Sequence, residues 1–334
     1  MLSRAIAPRL SFAPTSRHIS RAAASSIHAT TYTSQRARMT TSTFKHIDIA
    51  SSTSAKPWAK VDGPGMSFKM NDHERNVHNI RDDSDNFTTD NSGFAVYNSP
   101  AKEKLFTDDA AVREGYYREV EDMLRKHLPG IKKVHIFDHT IRRRNKDSPR
   151  QPVQQVHVDQ TPGAAEARVR RHLPDEADEL VNGRYQIINV WRPIENPASD
   201  TPLAVIDWRS TSPSDFVPID LMYPKRADSA MDDDDRGKEV LPDEQKWFST
   251  EGYEVRGETM GVKPSEQHKF FYMKDMKPEE VMLLKCFDSY GEGMPMGKKG
   301  LAVRTPHTAF IDPNTPEGAP GRQSIEVRCL IFYE

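Results

Sequence analysis

Apolar positions follow a helical period in one segment of the chain and the period of strands in most of its second half. Between residues 108 and 128, apolar side chains recur every fourth position, at Val112, Tyr116, Val120 and Leu124. This spacing places them on one helix face, and the two Asp at 108–109 favour an amino end there. A Pro-Gly pair at 129–130 ends the pattern. The segment therefore predicts an amphipathic helix.

Short runs of β-branched and aromatic residues predict strands elsewhere. These runs occupy residues 132–142, 153–160, 185–191, 203–208, 268–273, 303–311 and 322–333. Residues 278–287 open with Pro and two Glu, which predicts a second helix. Regular spacing is lost over 209–265, which we expect to be an insertion, and the four Asp at 232–235 are typical of a solvated loop. Many short strands with few helices predict a mainly β fold with flanking helices, a jelly roll or β-sandwich.

The amino-terminal residues differ in composition from the rest of the chain. Residues 1–47 contain seven Lys and Arg side chains but no Asp or Glu, and Arg with Ser in an acid-free segment is typical of a mitochondrial transit peptide. A disordered basic tail over residues 1–45, or translation from Met39, is the alternative. We therefore expect residues 1–38 to direct the chain to mitochondria, with a cytoplasmic location as the other reading. The remainder divides into an arm with a helix at 46–150 and a catalytic domain at 151–334.

Composition excludes several classes of protein. No run of about 18 apolar residues occurs, which excludes an ordinary membrane-spanning helix. The two cysteines, Cys286 and Cys329, are too few for a disulfide scaffold or a multi-cysteine zinc module. A net charge of -2 gives no reason to expect nucleic-acid binding. We therefore expect neither a membrane nor a nucleic-acid partner, and nothing in the sequence indicates an oligomeric state.

Three sequence features fit one kind of metal site. His157 and Asp159 are two residues apart on a predicted strand, so their side chains project to the same side. His307 lies on a later strand. Two imidazoles and one carboxylate are the ligands of non-haem Fe(II), which keeps three coordination positions open. Arg322 and Ser324 follow on one strand face, and a guanidinium with a hydroxyl can hold the distal carboxylate of 2-oxoglutarate.

Each of these features is weak when taken alone. With 12 histidines in the chain, a His-x-Asp triplet is expected by chance, and His46 begins a second one. His157 by itself is more often a hydrogen-bonded strand residue than a ligand. His268 is an alternative ligand, although the next arginine after it, Arg304, has no serine two residues on, and His172 ranks below both. The order of the three features along the chain is what favours the metal site.

Several motifs together resemble a known family. They are HVDQT at 157–161, RHLP at 171–174, NVWRPI at 189–194, PLA at 202–204, FDS at 287–289, HTAF at 307–310 and SIEVR at 324–328. Over roughly residues 130–334 they resemble the mainly fungal AsaB-like hydroxylase/desaturase family, which includes the gibberellin desaturase, the NvfI endoperoxide-forming enzyme and relatives of the methoxylation protein CmcJ. The resemblance implies a cupin-like double-stranded β-helix that uses Fe(II) and 2-oxoglutarate. The resemblance does not indicate which substrate this chain acts on.

The strand at 185–191 supplies further candidates through its alternation. Tyr185, Asn189 and Trp191 share one face, and Arg192 belongs to the other. Asn189 is a candidate for cofactor binding beside the iron, and the other three are candidates for substrate binding. The opposing interpretation is a sheet core in which Asn189 bonds the backbone and Trp191 only packs.

A basic cluster and a second arginine complete the set of candidates. Arg142 or His139 could lie at the mouth of the site and attract an anionic substrate, although a solvated turn is the simpler interpretation. Arg328 shares a strand face with Arg322, so either could anchor 2-oxoglutarate. Ser324 favours Arg322.

These features together predict an Fe(II)/2-oxoglutarate-dependent oxidoreductase that hydroxylates or desaturates a small molecule of the secondary-metabolite type, with dioxygen as co-substrate. The first alternative is a methyltransferase or methoxylation accessory of the CmcJ type. Such a protein needs a Gly-rich strand-to-helix turn for its cofactor, and the sequence contains no Gly-x-Gly-x-x-Gly. The second alternative is a non-enzymatic β-sandwich binding module.

Overall fold

The computed structural model describes residues 38–61, 65–144, 151–225 and 248–334. The proposed leader, apart from its last residue, and the Asp run at 232–235 lie outside these ranges. Residues 39–334 form one compact unit. No helix in the described part of the chain is both long and apolar enough to cross a membrane.

Two sheets face each other and confirm the predicted jelly roll. In order across the first sheet, the strands are β1 (Met39–Asp48), β3 (Lys69–Asn79), β11 (Phe270–Tyr272), β8 (Leu203–Ile206), β13 (His307–Ala309), β6 (His157–Val158), β10 (Tyr253–Val262), β9 (Phe216–Pro224) and β2 (Trp58–Lys60). Across the second sheet they are β4 (Phe94–Asn98), β12 (Glu280–Asp288), β7 (Tyr185–Pro193), β14 (Gln323–Tyr333) and β5 (Ile131–Arg143). Apart from the pairs β3–β11 and β2–β9, neighbouring strands are antiparallel.

Helices cover the outer face of the second sheet. A helical segment begins with α1 (Asp109–Ala111), continues through a π-helical turn (Val112–Tyr116) and ends with α2 (Tyr117–His127). The four apolar residues predicted to face the core are all buried there, packed on alternate residues of β7, β12 and β14. The chain leaves α2 through Gly130 at φ +81°, a conformation that suits glycine. Two shorter helices, α3 (Pro162–His172) and α4 (Ala177–Leu180), follow β6.

The structure corrects three predictions about local organisation. Residues 39–45 belong to β1 rather than to the leader, and β3 is a long strand within the region expected to be an arm. Strand β5 confirms the strand predicted at 132–142. The predicted insertion at 209–265 contains β9 and β10, which pair with each other and continue the first sheet beyond β6. The sequence does not predict these strands because Pro218 in β9 and Gly257 and Gly261 in β10 are residue types depleted in strands.

The predicted helix at 278–287 is instead strand β12. Strands β4 and β7 pair with its two edges. The helices cover one of its faces and the first sheet covers the other, so its residues are buried on both faces. A short apolar run of this kind has neither helical nor strand periodicity, so its neighbours decide its structure.

Candidate metal and cofactor site

Two antiparallel strands of the first sheet bring the candidate histidines together. His157 on β6 lies directly opposite His307 on β13, and their ring centroids are 4.4 Å apart. Asp159 follows β6, with its Oδ1 3.3 Å from Nε2 of His157 and 3.6 Å from Nε2 of His307. Within the described residues, this is the one group of three or more His, Cys, Asp or Glu whose ligand atoms lie within 4.8 Å of one another.

Hydrogen bonds on the far side of each imidazole fix its orientation. Nδ1 of His157 lies 2.7 Å from the carbonyl oxygen of Gln155, and Nδ1 of His307 lies 3.1 Å from that of Thr305. Each Nδ1 is therefore the donor in the neutral ring, which leaves the Nε2 lone pair free to bind a metal. This arrangement is common in histidine ligands of metals.

The charges of the three side chains support one another. Burial lowers the pKa of His157, but the hydrogen bond and charge of Asp159 outweigh burial and raise it overall. Burial would raise the pKa of Asp159, yet the two histidines hold it well below its ordinary value. Burial lowers the pKa of His307. The site therefore favours an ionised carboxylate, and a cation binding there competes with protonation of the two imidazoles.

The second sheet holds the other oxygen of the carboxylate. Asn189 on β7 donates from Nδ2 to Oδ2 of Asp159 at 2.6 Å, and the buried thiol of Cys286 lies 3.8 Å from the same oxygen. Asn189 was predicted to bind the cofactor, whereas the structure places it against the ligand carboxylate.

The cluster opens on a cavity between the two sheets, with a volume of about 480 Å³ that includes some solvent-exposed space. Two imidazoles and one hard anion on one side of such a cavity fit a ferrous ion that keeps its remaining positions toward the cavity.

Arg322 and Ser324 also line this cavity, as the sequence predicts. The Arg322 side chain donates from Nη1 to the carbonyl oxygen of Thr201 at 3.0 Å and lies 5.5 Å from the Trp191 ring. Its buried Nε has no hydrogen-bond partner in the described part of the chain. Burial and the charge of Arg142 lower the pKa of Arg322 to about 9. A buried guanidinium in this condition favours an incoming carboxylate.

Arg328, the alternative anchor, already has anionic partners. Its Nη1 donates to Asp138 at 2.8 Å and to the hydroxyl of Thr140 at 3.0 Å, while its Nη2 donates to Glu326 at 3.0 Å. The charges of these carboxylates raise the pKa of Arg328 against the effect of burial. Because its donors are engaged, Arg328 is the less suitable anchor.

The four substrate-binding candidates separate into two pairs. Trp191 and Arg142 line the cavity. Tyr185 shares the strand face of Trp191, but it lies at the other end of β7 and packs 5.4 Å from the ring of Phe287. The structure therefore places Tyr185 away from the cavity lining.

Arg192 does not reach the cavity either. It projects from the opposite face of β7, where its Nη2 donates to the carbonyl oxygen of Ser99 at 2.8 Å and its Nη1 to that of Pro278 at 3.2 Å. The guanidinium lies 5.1 Å from the Tyr116 ring in the helical layer. The structure therefore places Arg192 outside the cavity lining, since helices cover the face of β7 opposite the cavity.

The other candidate histidines have different surroundings. His268 lies 3.0 Å from Asp215 and packs beside His46, away from the metal cluster. His172 packs on Phe137 at 4.9 Å. Nδ1 of His139 lies 2.8 Å from the hydroxyl of Tyr117, in the helical layer and away from the mouth of the site.

Several cavity-lining residues were not singled out from the sequence. They include Thr140, Val153, Leu203, Thr308 and Ala309. Strand alternation carried a signal for one of them, since Thr140 shares a face with Arg142. The others depend on how the two sheets approach each other.

Comparisons with known proteins agree with this geometry. Residues 46–332 match a family described as "Oxidoreductase/YMDC permease-like domain". A hydroxylase/desaturase named efuI, from Hormonema carpetanum, is 31% identical over 80% of this chain and 86% of its own length. An Fe(II)/2-oxoglutarate-dependent dioxygenase named nvfI, from Aspergillus novofumigatus, is 30% identical over 80% of this chain and 87% of its own.

The fold also matches solved structures. One structure of the iron and alpha-ketoglutarate-dependent endoperoxidase NvfI superposes with a TM-score of 0.72 at 25% identity. The match covers 88% of this chain and 98% of that one. The similarity thus spans both sheets and the cavity between them.

Proposed function

Because the chain belongs to the oxidoreductase family of the hydroxylase/desaturase and NvfI enzymes, we infer that it oxidises a small molecule with Fe(II), 2-oxoglutarate and dioxygen. The protein is an Fe(II)/2-oxoglutarate-dependent oxidoreductase of the hydroxylase/desaturase type. The observation that carries this conclusion is the cluster of His157, Asp159 and His307 at one side of the cavity.

Each residue of the site has a part in the proposed reaction. His157, Asp159 and His307 hold the iron through two Nε2 atoms and one carboxylate oxygen. Arg322 and Ser324 hold the distal carboxylate of 2-oxoglutarate. The Trp191 ring lies next to the Arg322 guanidinium and limits the space around that carboxylate. When bound, the iron with 2-oxoglutarate and dioxygen supplies an oxidant that removes hydrogen from an unactivated C–H bond.

The chain itself determines where that oxidant acts. Val153, Leu203 and Ala309 give the cavity apolar surface, which excludes water from the carbon to be oxidised. Arg142 lies at the same cavity and is suited to an anionic group of the substrate. We propose a small molecule of fungal secondary metabolism as substrate, since relatives include an aspirochlorine biosynthesis protein and several hydroxylase/desaturases. Removal of one hydrogen followed by hydroxyl transfer gives hydroxylation, and removal of a second hydrogen gives desaturation.

Substitution of one iron ligand tests the proposal. His157→Ala removes one of the three ligands, so Fe(II)-dependent conversion of 2-oxoglutarate to succinate should fall by at least about 100-fold, the order of loss that a 2.7 kcal/mol effect produces. Succinate is measured by mass spectrometry in the presence and absence of Fe(II). His172→Ala is the matched control, because His172 lies outside the cluster. Equal succinate formation by the wild type and His157→Ala would refute the assignment.

A further inference from the structure

We propose that Asn189 is a positioning residue that keeps Asp159 bound to the metal through one oxygen and so leaves a coordination position open for dioxygen. The inference rests on the proposed function, because it requires the cluster of His157, Asp159 and His307 to hold the metal. It concerns an interaction between the two sheets, since Asn189 lies on β7 and the three ligands come from the first sheet and the loop after β6.

The two oxygens of the Asp159 carboxylate have separate partners. Oδ1 lies 3.3 Å from Nε2 of His157 and 3.6 Å from Nε2 of His307, so it is the oxygen that converges with both imidazoles. Oδ2 accepts the hydrogen bond of Asn189 at 2.6 Å and lies 3.8 Å from the thiol of Cys286. A short hydrogen bond to an ionised acceptor is strong. Oδ2 is therefore held on the side of β7 and β12, where these two donors lie.

The backbone around Asn189 leaves its side chain little freedom. It is fully buried in the middle of β7, opposite Leu284 on β12 and Arg328 on β14. Its own Oδ1 is buried and has no hydrogen-bond partner among the described residues. Rotating the amide by half a turn would point that oxygen at the Asp159 carboxylate, where two acceptors would repel each other. The orientation that donates to Oδ2 is thus the favourable one, and it persists although Oδ1 stays unpaired.

Counting coordination positions shows what this hydrogen bond does. Two imidazoles and one carboxylate oxygen occupy three of the six positions of an octahedral ion, which leaves three. Chelation by 2-oxoglutarate takes two of them, and one remains for dioxygen. If Oδ2 also bound the metal, the protein would occupy four positions and the chelating cosubstrate the last two. With the hydrogen bond from Asn189, the metal therefore keeps one position for dioxygen. Without it, Asp159 would fill that position through its second oxygen.

Counting metal-bound water tests the inference without measuring activity. The probe is Mn(II) added to the metal-free protein, and the waters on it are counted by pulsed electron paramagnetic resonance in water enriched in oxygen-17. The main variant is Asn189→Leu, which keeps the approximate volume of the side chain but cannot donate. Gln186→Leu is the matched control: Gln186 is another buried amide on β7, and its Nε2 donates at 2.7 Å to a different carboxylate, that of Asp288.

We expect three metal-bound waters in the wild type and in Gln186→Leu, and two in Asn189→Leu. After addition of 2-oxoglutarate the counts should become one, one and none. Three waters in folded Asn189→Leu, or no Mn(II) binding by that folded variant, would overturn the inference. So would two waters in Gln186→Leu, because the change would then follow from a general loosening of β7.

Two further results keep the test decisive. If Asn189→Leu does not fold, Asn189→Ala replaces it with the same expected counts and the same refuting results. If wild-type protein binds no Mn(II) and no Fe(II), the proposed function fails together with this inference. If the wild type binds metal with three waters and the Asn189 variant does so too, only the role of Asn189 is wrong.

Discussion

Two arginines, Arg322 just before β14 and Arg328 within it, allow the cosubstrate anchor to be tested through stability as well as binding. Arg322 and Arg328 both line the cavity, but among the described residues only the Arg328 guanidinium has carboxylate partners, Asp138 and Glu326. The pKa of Arg322 is lowered from its ordinary 12.5 to about 9, first by burial and then by Arg142. At 1.36 kcal/mol for each unit, the folded protein disfavours the charged form by roughly 5 kcal/mol. An incoming carboxylate recovers part of this free energy.

The two arginines should therefore respond differently to the same substitution. Arg322→Met removes an unneutralised buried charge, so the free energy of unfolding of the metal-free protein should stay within about 1 kcal/mol of the wild type or rise. Arg328→Met leaves the carboxylates of Asp138 and Glu326 without the guanidinium that pairs with both, and should cost about 3–5 kcal/mol. For 2-oxoglutarate, Arg322→Met loses two charge-assisted hydrogen bonds of about 1.5–2 kcal/mol each, which weakens binding by roughly 100- to 1,000-fold.

Urea unfolding followed by circular dichroism measures the first effect, and anaerobic calorimetric titration of 2-oxoglutarate into the Fe(II) protein measures the second. A folded Arg322→Met that binds 2-oxoglutarate within threefold of the wild type would refute the anchor. A loss of stability in Arg322→Met as large as that in Arg328→Met would refute the reasoning about its unpaired charge.

Two further predictions concern buried charge away from the cavity. Lys285→Met should lower the free energy of unfolding by about 3 kcal/mol in urea titrations, because fully buried Lys285 lies 2.8 Å from the equally buried carboxylate of Asp288; a loss below 1 kcal/mol would contradict this. Burial lowers the pKa of His46 from 6.5 to about 4, so between these values the unfolded chain binds a proton that the folded chain does not. The contribution of neutral His46 to the free energy of unfolding is fully present above pH 6.5. It falls by up to about 3 kcal/mol as the pH decreases to 4. Urea titrations at several pH values should show a shallower decline in His46→Phe than in the wild type, and equal slopes would exclude His46 as the cause.

Local sequence determined much of the candidate site. The period of two along a strand places His157 and Asp159 on one side and separates Trp191 from Arg192, and the structure has both arrangements. The spacing of four in the helix likewise predicts the face that packs on the second sheet, and Val112 on that face is buried. These relations hold because they depend on backbone geometry over a few residues.

Strand alternation does not specify how far along a face the cavity extends. Tyr185 and Trp191 share a face of β7, yet only Trp191 lines the cavity. Tyr185 lies at the other end of the strand, where α3 and α4 pack against it. In the same way, strand alternation predicts that Arg192 points away from Trp191. It does not predict that the layer beyond Arg192 is helical, or that the backbone carbonyls of Ser99 and Pro278 accept hydrogen bonds from Arg192.

The sequence by itself determined which residues can bind a metal, their order along the chain and the strand faces they share. Only the tertiary structure decided that β12 is a strand, that the Arg328 side chain rather than that of Arg322 pairs with carboxylates of the described residues, and that Asn189 holds Asp159. The physical reason is that periodicity acts through neighbouring residues of one segment. The hydrogen bond between the two sheets from Asn189 to Asp159 joins residues 30 positions apart, and the ion pair between neighbouring strands from Arg328 to Asp138 joins residues 190 positions apart. Such partners follow from how strands and sheets pack.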